Sequence, residues 1–220
     1  MYKDDVAVIA SAMRSNLEVF ERGVMFAVLS ARQPFMRVRD QMEGLEKDGE
    51  NHRGLFSWKL DAYLWLKENS AALWQALRTT SDLHNAMIEV TRMPGLGLVK
   101  GGFVLQLMGF DVACLDARNV RTEGRDEREF CSEGSKEKTR ASWHNKVDRY
   151  LEETGGKAEY YWNAWCQEYA DQVGMTADMI SKRHLDIVPV DLRRKGQVIV
   201  PIIAPEFAQG STATGVQCPF

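Results

Sequence analysis

The chain has few cysteines, and their arrangement excludes several kinds of site. Only four of its 220 residues are cysteine, at positions 114, 131, 166 and 218. None of them forms a Cys-x-x-Cys pair, which is the usual spacing of zinc and iron–sulfur ligands. The sequence therefore predicts no metal site, no iron–sulfur cluster and no other cofactor.

Long apolar runs and a strong excess of one charge are also missing. No apolar run is long enough to span a membrane, and residues 1–5 lack the basic-then-apolar layout of a signal peptide. The formal net charge of −3 argues against a protein that coats DNA, although a local basic patch is compatible with it. No heptad repeat indicates self-association. We therefore expect a cytoplasmic monomer that does not associate with membranes.

Composition and periodicity predict a helical protein. Hydrophobic residues make up 45% of the chain, which is enough to bury a core. Apolar residues recur at helical spacing along most of residues 1–186, so the sequence predicts an all-α fold. The last helix is expected between Thr176 and Asp186. Residues 187–220 are predicted to be an irregular, extended tail with a strand-like stretch at 197–203.

The most informative stretch is a glycine-containing turn between two apolar helices. It reads Met93-Pro94-Gly95-Leu96-Gly97. Glycines permit positive φ and let backbone N–H groups approach a partner closely. The start of the following helix is an anion site, because its unpaired N–H groups and the helix dipole both favour negative charge. A DNA phosphate is the expected occupant.

This helix-hairpin-helix unit, with Asp116 one connector later, resembles the helix-hairpin-helix (HhH-GPD) DNA glycosylase superfamily of the endonuclease III class. In that family a Leu-Pro-Gly-x-Gly hairpin opens a helix, and an Asp heads the next one. The resemblance implies double-stranded DNA as the partner and a two-lobed helical unit over residues 1–186. The central lobe would comprise about residues 17–121, with the hairpin at 93–98. The second lobe would comprise about residues 1–16 and 138–186.

The resemblance implies that Asp116 is the catalytic residue. A carboxylate near the sugar stabilises the positive charge that develops when an N-glycosidic bond breaks, and it orients a water molecule. The alternative is that Asp116 only caps a helix. Many relatives have His two residues after this Asp, whereas this chain has Arg118, followed by Asn119. Both are predicted to contact DNA.

Further DNA contacts are predicted for Pro94, Gly95, Leu96, Gly97, Val99 and Lys100. Relatives that also cut the DNA strand use a lysine nucleophile at the second position after the last hairpin glycine, where this chain has Val99. One step along a helix rotates a side chain by about 100 degrees. We therefore expect Lys100 to face away from the nucleophile's position, towards a phosphate or solvent. The chain then resembles the monofunctional members of the family, which remove the base without cutting the DNA strand.

An early helix closes in a segment that also resembles the family. Relatives have a Leu-Ser pair, a small residue and then a Gln that enters the duplex beside the extruded base. In this chain Arg32 stands at the Gln position and Gln33 follows it. Each is a candidate for filling the gap in the base stack or for lining the base pocket. The alternative is that both are solvated residues at a helix junction.

Three functions follow as alternatives. The first is a DNA glycosylase that flips out and hydrolyses a damaged or modified base, as in DNA repair, close to the nucleoid. The second is a bacteriophage DNA-modification enzyme, active in the infected cell, which joins an amino acid or polyamine to activated hydroxymethyluracil. The missing lysine, the absent cluster and the acidic balance suit this second function. The third is a non-catalytic DNA-binding module in which Asp116 is a cap.

Overall fold

In this computed structural model, residues 2–126, 130 and 141–194 are described. They are helical and contain no strand, which confirms the all-α prediction. Three short 3-10 helices are interspersed, at Phe35–Arg37, Gly49–Asn51 and His184–Ile187. The α-helices in chain order are α1 (Tyr2–Ser15), α2 (Leu17–Leu29), α3 (Val38–Asp48), α4 (Ser57–Thr79), α5 (Leu83–Val90), α6 (Leu98–Leu107), α7 (Ala117–Thr122), α8 (Ala141–Thr154), α9 (Ala158–Val173), α10 (Ala177–Arg183) and α11 (Val190–Arg194).

Side-chain caps fix several helix starts. The sequence offers Ser81 or Asp82 as the cap of α5 and Thr176 as the cap of α10. In the structure Asp82 and Thr176 accept hydrogen bonds from backbone N–H groups in the first turns of these helices. Such caps satisfy donors that the helix itself leaves unpaired. The sequence also offers Asp4 or Asp5 as the cap of the first helix, which is wrong. That helix begins at Tyr2, so both carboxylates lie inside its first turn.

Helix α2 forms the centre of the molecule. All of its residues from Gly23 to Leu29 are buried, as expected for a helix segment surrounded by other helices, and α2 packs against α1, α3, α4 and α6. A single cluster of buried side chains extends from Val6 in α1 to Val188 near the C-terminal end of the described chain. Helix α1 also packs against α9 and α10. The division into two lobes stays a prediction.

Close packing of α5 on α6 sets the geometry of the hairpin. Gly101 faces α5, and a Cβ added there would lie 3.0 Å from a methyl carbon of Thr91 and 3.1 Å from one of Val90. Because no side chain intervenes, the two helix backbones approach closely. Helix α8 packs on the other side of α5. The connection between α5 and α6 is therefore held on a well-packed base.

Some boundaries differ from the sequence expectations. The sequence favours a charged amphipathic helix from Pro34 to Lys47, whereas in the structure this segment begins as the short 3-10 helix Phe35–Arg37 and becomes α3 at Val38. In the predicted extended tail, Val190–Arg194 forms a helical turn. The strand-like stretch 197–203 and most of the charge-dense stretch 122–140 lie outside the described residues. Within the described part of the chain, no helix has the length and apolar character needed to cross a membrane.

Candidate active site

The hairpin between α5 and α6 depends on one of its two glycines. Gly95 has φ +79°, in the left-handed region that favours glycine. Gly97 has φ −95° and ψ −170°, which other residues also adopt, so the expectation of positive φ applies to Gly95 alone. Pro94 and Gly95 are exposed, whereas Leu96 is fully buried and its N–H donates to the Met93 carbonyl oxygen at 3.2 Å. Leu96 therefore anchors the hairpin in the core.

Asp116 caps α7, and three donors hold its carboxylate. Oδ1 accepts from the backbone N–H groups of Arg118 at 3.0 Å and of Asn119 at 3.2 Å. Oδ2 accepts from the indole Nε1 of Trp165 at 2.7 Å. These three N–H hydrogen bonds hold the carboxylate in a single orientation. The predicted position of Asp116 at the head of a helix is confirmed.

The connector before Asp116 is fixed by α8. The hydroxyl of the fully buried Tyr150 donates to the Ala113 carbonyl oxygen at 2.8 Å and accepts from the Leu115 N–H at 3.2 Å. A Cβ added at Gly102 would lie 2.8 Å from the Tyr150 hydroxyl oxygen, so α6 leaves just enough room for this ring. The position of Asp116 therefore depends on a residue 34 positions later in the chain.

Asn119 secures the same connector from the other side. It was predicted to contact DNA, but it is only 4% exposed and its Nδ2 donates to the Cys114 carbonyl oxygen at 2.8 Å. In this structure its amide lies inside the protein and ties the first turn of α7 to the connector. Arg118, the other predicted contact, lies over the rings of Tyr169 and Trp165, with its guanidinium carbon 5.0 and 5.8 Å from their centroids.

Asp116 lies on the wall of an aromatic pocket. The cavity holds about 50 Å³, which is on the order of one or two water molecules at about 30 Å³ each. Small-molecule sites usually hold roughly 300 Å³ or more. A ligand larger than a few atoms would therefore fit only if lining side chains moved. The lining residues are Ser30, Gln33, Phe35, Lys100, Phe103, Gln106, Cys114, Asp116, Arg118, Asn119, Tyr161, Trp162, Trp165 and His184.

Lys100 also lines this pocket, so the expectation that it faces away is wrong. Its Nζ donates to the hydroxyl of Ser30 at 2.8 Å and lies 5.3 Å from the centroid of the Phe103 ring. The backbone position of Lys100 is rotated by about 100 degrees from that of Val99, but its four-carbon side chain is long enough to reach across Phe103 to Ser30. Val99, at the position of the family's nucleophile, is half-buried and packs against the core.

The turn after α2 separates the two residues predicted to act on the flipped base. Arg32 is exposed and has φ +55°, a left-handed conformation that costs a non-glycine residue about 1 kcal/mol. Gln33 lines the pocket, and its buried Nε2 makes no hydrogen bond. The strained backbone thus directs neighbouring side chains to two different places.

A buried lysine supports this turn. Lys59 in α4 is fully buried, and its Nζ donates to the Leu29 carbonyl oxygen at 2.8 Å, at the C-terminal end of α2. Burial, together with the nearby charge of Lys100, lowers the pKa of Lys59 to about 8. With Lys100 bonded to Ser30, the two amines hold consecutive residues of the chain that leads to Gln33.

His184 is a pocket residue that the sequence did not single out. It is 2% exposed, and its ring lies among aromatic rings, with centroids 4.2 Å from Trp162 and 4.8 Å from Phe35. Its Nδ1 lies 3.0 Å from the Ser181 carbonyl oxygen. Burial lowers the pKa of His184 to about 4. A single His within the polar run 181–184 carries no local signal of such a role.

The low pKa of His184 predicts that stability falls in mild acid. Between pH 6.5 and about 4 the unfolded chain protonates this imidazole and the folded chain does not. The free energy of unfolding therefore falls by about 1.4 kcal/mol for each pH unit below 6.5. Urea denaturation at pH 6.5 and pH 5 measures the loss, which should be about 2 kcal/mol. In His184→Phe the difference between the two pH values should shrink by that amount, and an unchanged difference would contradict the assignment.

A larger groove lies elsewhere, between α2, α3 and α4. It holds about 760 Å³ and is lined by both acidic and basic side chains. Several of these charges already pair with each other, as Lys67 does with Glu21 and Arg22 with Glu46. None of the residues singled out in the sequence lies there. The smaller aromatic pocket, where Asp116 and Lys100 meet, is therefore the candidate active site.

Metal ligands are not grouped in the described part of the chain. No three His, Cys, Asp or Glu side chains there are arranged to hold a metal ion. Of the four cysteines, Cys114 and Cys166 are free thiols. Burial raises the pKa of each to about 12, which keeps both protonated at neutral pH. Cys131 and Cys218 lie outside the described residues.

The comparisons give no relative from which a role could be transferred. Comparison of the chain with protein-family models, with curated proteins and with solved structures finds no match. The hairpin, Asp116 and the pocket are therefore the features that bear on function.

Proposed function

We propose that this chain is a DNA glycosylase-like enzyme that binds double-stranded DNA, takes up an extruded nucleotide and hydrolyses its N-glycosidic bond. The observation that carries the proposal is the placement of Asp116. A carboxylate oriented by three N–H donors lies on the wall of an aromatic pocket, one connector away from a helix-hairpin-helix. Aromatic walls stack on a flipped base, and the carboxylate stabilises the positively charged sugar.

In the proposed reaction, a water oxygen forms a bond to C1′ of the deoxyribose and the bond from C1′ to the base nitrogen breaks. The base leaves with the electron pair and is then protonated. Asp116 stabilises the positive charge on the sugar and orients the water. The cations of Lys100 and Arg118 line the same pocket and stabilise the negative charge on the departing base.

The surface around the pocket supplies the DNA contacts in this proposal. The first N–H groups of α6 follow the exposed Pro94 and Gly95 and bind a backbone phosphate. The exposed Arg32, in its left-handed conformation, fills the gap that the extruded nucleotide leaves in the base stack. Gln33 stays in the pocket with the base.

One observation favours a second candidate, the DNA base-modifying transferase. The pocket combines two cations with a single carboxylate, because His184 is neutral at pH 7. A positive excess suits an anionic leaving group such as the phosphate of an activated hydroxymethyluracil. An amino acid or polyamine amine would then attack the methylene carbon, and the phosphate would leave with the bonding electrons.

Mass spectrometry of nucleosides and free bases separates the candidates. The protein is incubated with duplexes that carry damaged or phage-type modified bases, including phosphorylated hydroxymethyluracil with and without amines. Release of a free base supports the glycosylase, and a heavier intact nucleoside supports the transferase. No change in any duplex would leave only the DNA-binding module. A covalent adduct trapped by borohydride would show that Lys100 or another amine attacks the sugar, which would contradict hydrolysis.

The hairpin makes a separate prediction for DNA affinity. In Gly95→Ala the left-handed backbone is strained, and the added Cβ would lie 2.9 Å from a ring carbon of Trp58. We expect the dissociation constant for a duplex to rise about five- to tenfold at fixed salt, because about 1 kcal/mol of hairpin strain weakens phosphate binding. Fluorescence anisotropy measures this change.

Gly54→Ala is the matched control for that measurement. Gly54 has φ +93°, so alanine meets a similar backbone penalty, but no atom lies within 4 Å of the added Cβ. It precedes α4 and lies outside the hairpin. Equal affinities of the Gly95→Ala and Gly54→Ala proteins for the duplex would mean that the hairpin does not bind DNA.

A further inference from the structure

The tautomer of His184 is set by its own turn. A carbonyl oxygen only accepts hydrogen bonds, so the contact of 3.0 Å between Nδ1 and the Ser181 oxygen places the proton on Nδ1. The ring is neutral at pH 7, because its pKa is about 4. Nε2 therefore carries a lone pair and acts as an acceptor. Since Nδ1 is turned back towards Ser181, the opposite edge, with Nε2, is the one directed towards the pocket that His184 lines.

Gln33 and Lys100 bring hydrogen-bond donors to the same pocket. The buried Nε2 of Gln33 makes no hydrogen bond, and leaving such a donor unpaired is unfavourable unless a ligand supplies an acceptor. Lys100 uses one of its three N–H bonds on Ser30. The pocket thus presents His184 Nε2 as an acceptor, together with the donors Gln33 Nε2 and Lys100 Nζ.

We propose that His184 and Gln33 select a pyrimidine-2,4-dione, a base of the uracil or thymine type. His184 Nε2 accepts the hydrogen bond of the N3–H group, and Gln33 donates to a neighbouring carbonyl oxygen of the base. Lys100 faces the second carbonyl. This inference rests on the proposed function, because it takes the pocket to be the site of the flipped base.

Other bases fit this pattern less well. Cytosine and adenine present a ring-nitrogen lone pair to His184 Nε2, so acceptor meets acceptor, and in the observed orientation of Gln33 their amino group meets the donor Nε2. Guanine offers an N–H and one carbonyl, but its amino group would face the ammonium of Lys100. Its second ring would also require a larger movement of the lining side chains than a pyrimidine does.

The test measures binding without turnover, in an Asp116→Asn background. The probes are duplexes with one deoxyuridine, 3-methyldeoxyuridine or deoxycytidine opposite an abasic site, so that each base is free to leave the stack. We expect the deoxyuridine duplex to bind about tenfold more tightly than either of the other two duplexes. This is the difference in affinity that one additional hydrogen bond typically gives. The 3-methyl probe removes the N3–H, and deoxycytidine reverses donor and acceptor at nearly constant shape.

Two further variants assign the preference to residues. Gln33→Glu replaces a donor with an acceptor of the same shape and should abolish or invert the preference for deoxyuridine over deoxycytidine. Gln41→Glu, in α3 and outside the pocket, is the matched control and should keep it. The substitution His184→Phe keeps an aromatic ring at this position but removes the Nε2 acceptor. The variant should therefore bind the deoxyuridine and 3-methyldeoxyuridine duplexes with equal affinity.

The outcomes separate the inference from the proposed function. Equal affinities of the Asp116→Asn protein for all three probes, or an unchanged preference in Gln33→Glu, would overturn the selection of a pyrimidine-2,4-dione. Base release by the wild-type protein would still support the glycosylase in that case. Failure to bind any of the duplexes would overturn both.

Discussion

The substitution Asp116→Asn should reduce the rate of base release at least about 100-fold. The carboxylate supplies the only negative charge among the residues that line the pocket, and the positively charged sugar loses this stabilisation when the side chain becomes neutral. Duplex affinity should stay within about twofold, because the hairpin is untouched. Single-turnover release of the free base, measured with the most reactive duplex, gives the rate. Anisotropy gives the affinity.

The cap role of Asp116 needs a matched control. Asp82→Asn makes the same substitution at another helix start, where Asp82 accepts from the Asn85 N–H at 3.0 Å. Asn is also a good N-cap residue, so each variant should lose no more than about 1 kcal/mol of stability. We expect Asp82→Asn to release the base at the wild-type rate. If Asp116→Asn kept full activity, Asp116 would be a cap and nothing more.

The substitution Tyr150→Phe should give the second large effect, because it should lower both the stability and the activity of the protein. Without its hydroxyl, the Ala113 carbonyl and the Leu115 N–H both lose their partner in a buried connector. Each unsatisfied buried group costs about 1–3 kcal/mol, so we expect the free energy of unfolding to fall by about 2–4 kcal/mol. Base release should fall too, because this connector positions Asp116. Urea denaturation measures the first effect.

Tyr160→Phe serves as the comparison for Tyr150→Phe. Tyr160 is 63% exposed, and loss of its hydroxyl should change stability by less than about 0.5 kcal/mol. Activity is measured well below the denaturation midpoint, where the Tyr150→Phe protein is folded, so that slower base release reports a displaced Asp116. Wild-type stability in Tyr150→Phe would show that the connector holds itself in place.

Local patterns in the sequence predicted the helices and the turn between α5 and α6 well. Apolar spacing, the caps Asp82 and Thr176 and the left-handed Gly95 all act between residues within about four positions of each other. Such interactions are readable from a single sequence. The position of Asp116 at the start of α7 was equally predictable, because an N-cap residue accepts hydrogen bonds from N–H groups only two and three residues further along the chain.

The position of a residue along a helix did not predict where the end of a long side chain lies. The rotation of 100 degrees per residue correctly describes the backbone at Lys100, but its ammonium reaches Ser30, 70 positions earlier in the chain. The contact depends on how α2 and α6 pack. Arg32 and Gln33 show the same limit, because a single left-handed residue separates an exposed side chain from a pocket side chain.

The sequence by itself thus determined an all-α chain, its hairpin and the helix that Asp116 heads, since each depends on neighbours along the chain. The tertiary structure alone decided what surrounds Asp116. Trp165 lies 49 positions away from Asp116, and Tyr150 lies 35 positions from Leu115, which it binds in the connector. His184 comes from the far end of the described chain. These side chains meet because helices distant in sequence bury their apolar faces against one another, and no local pattern records which faces will meet.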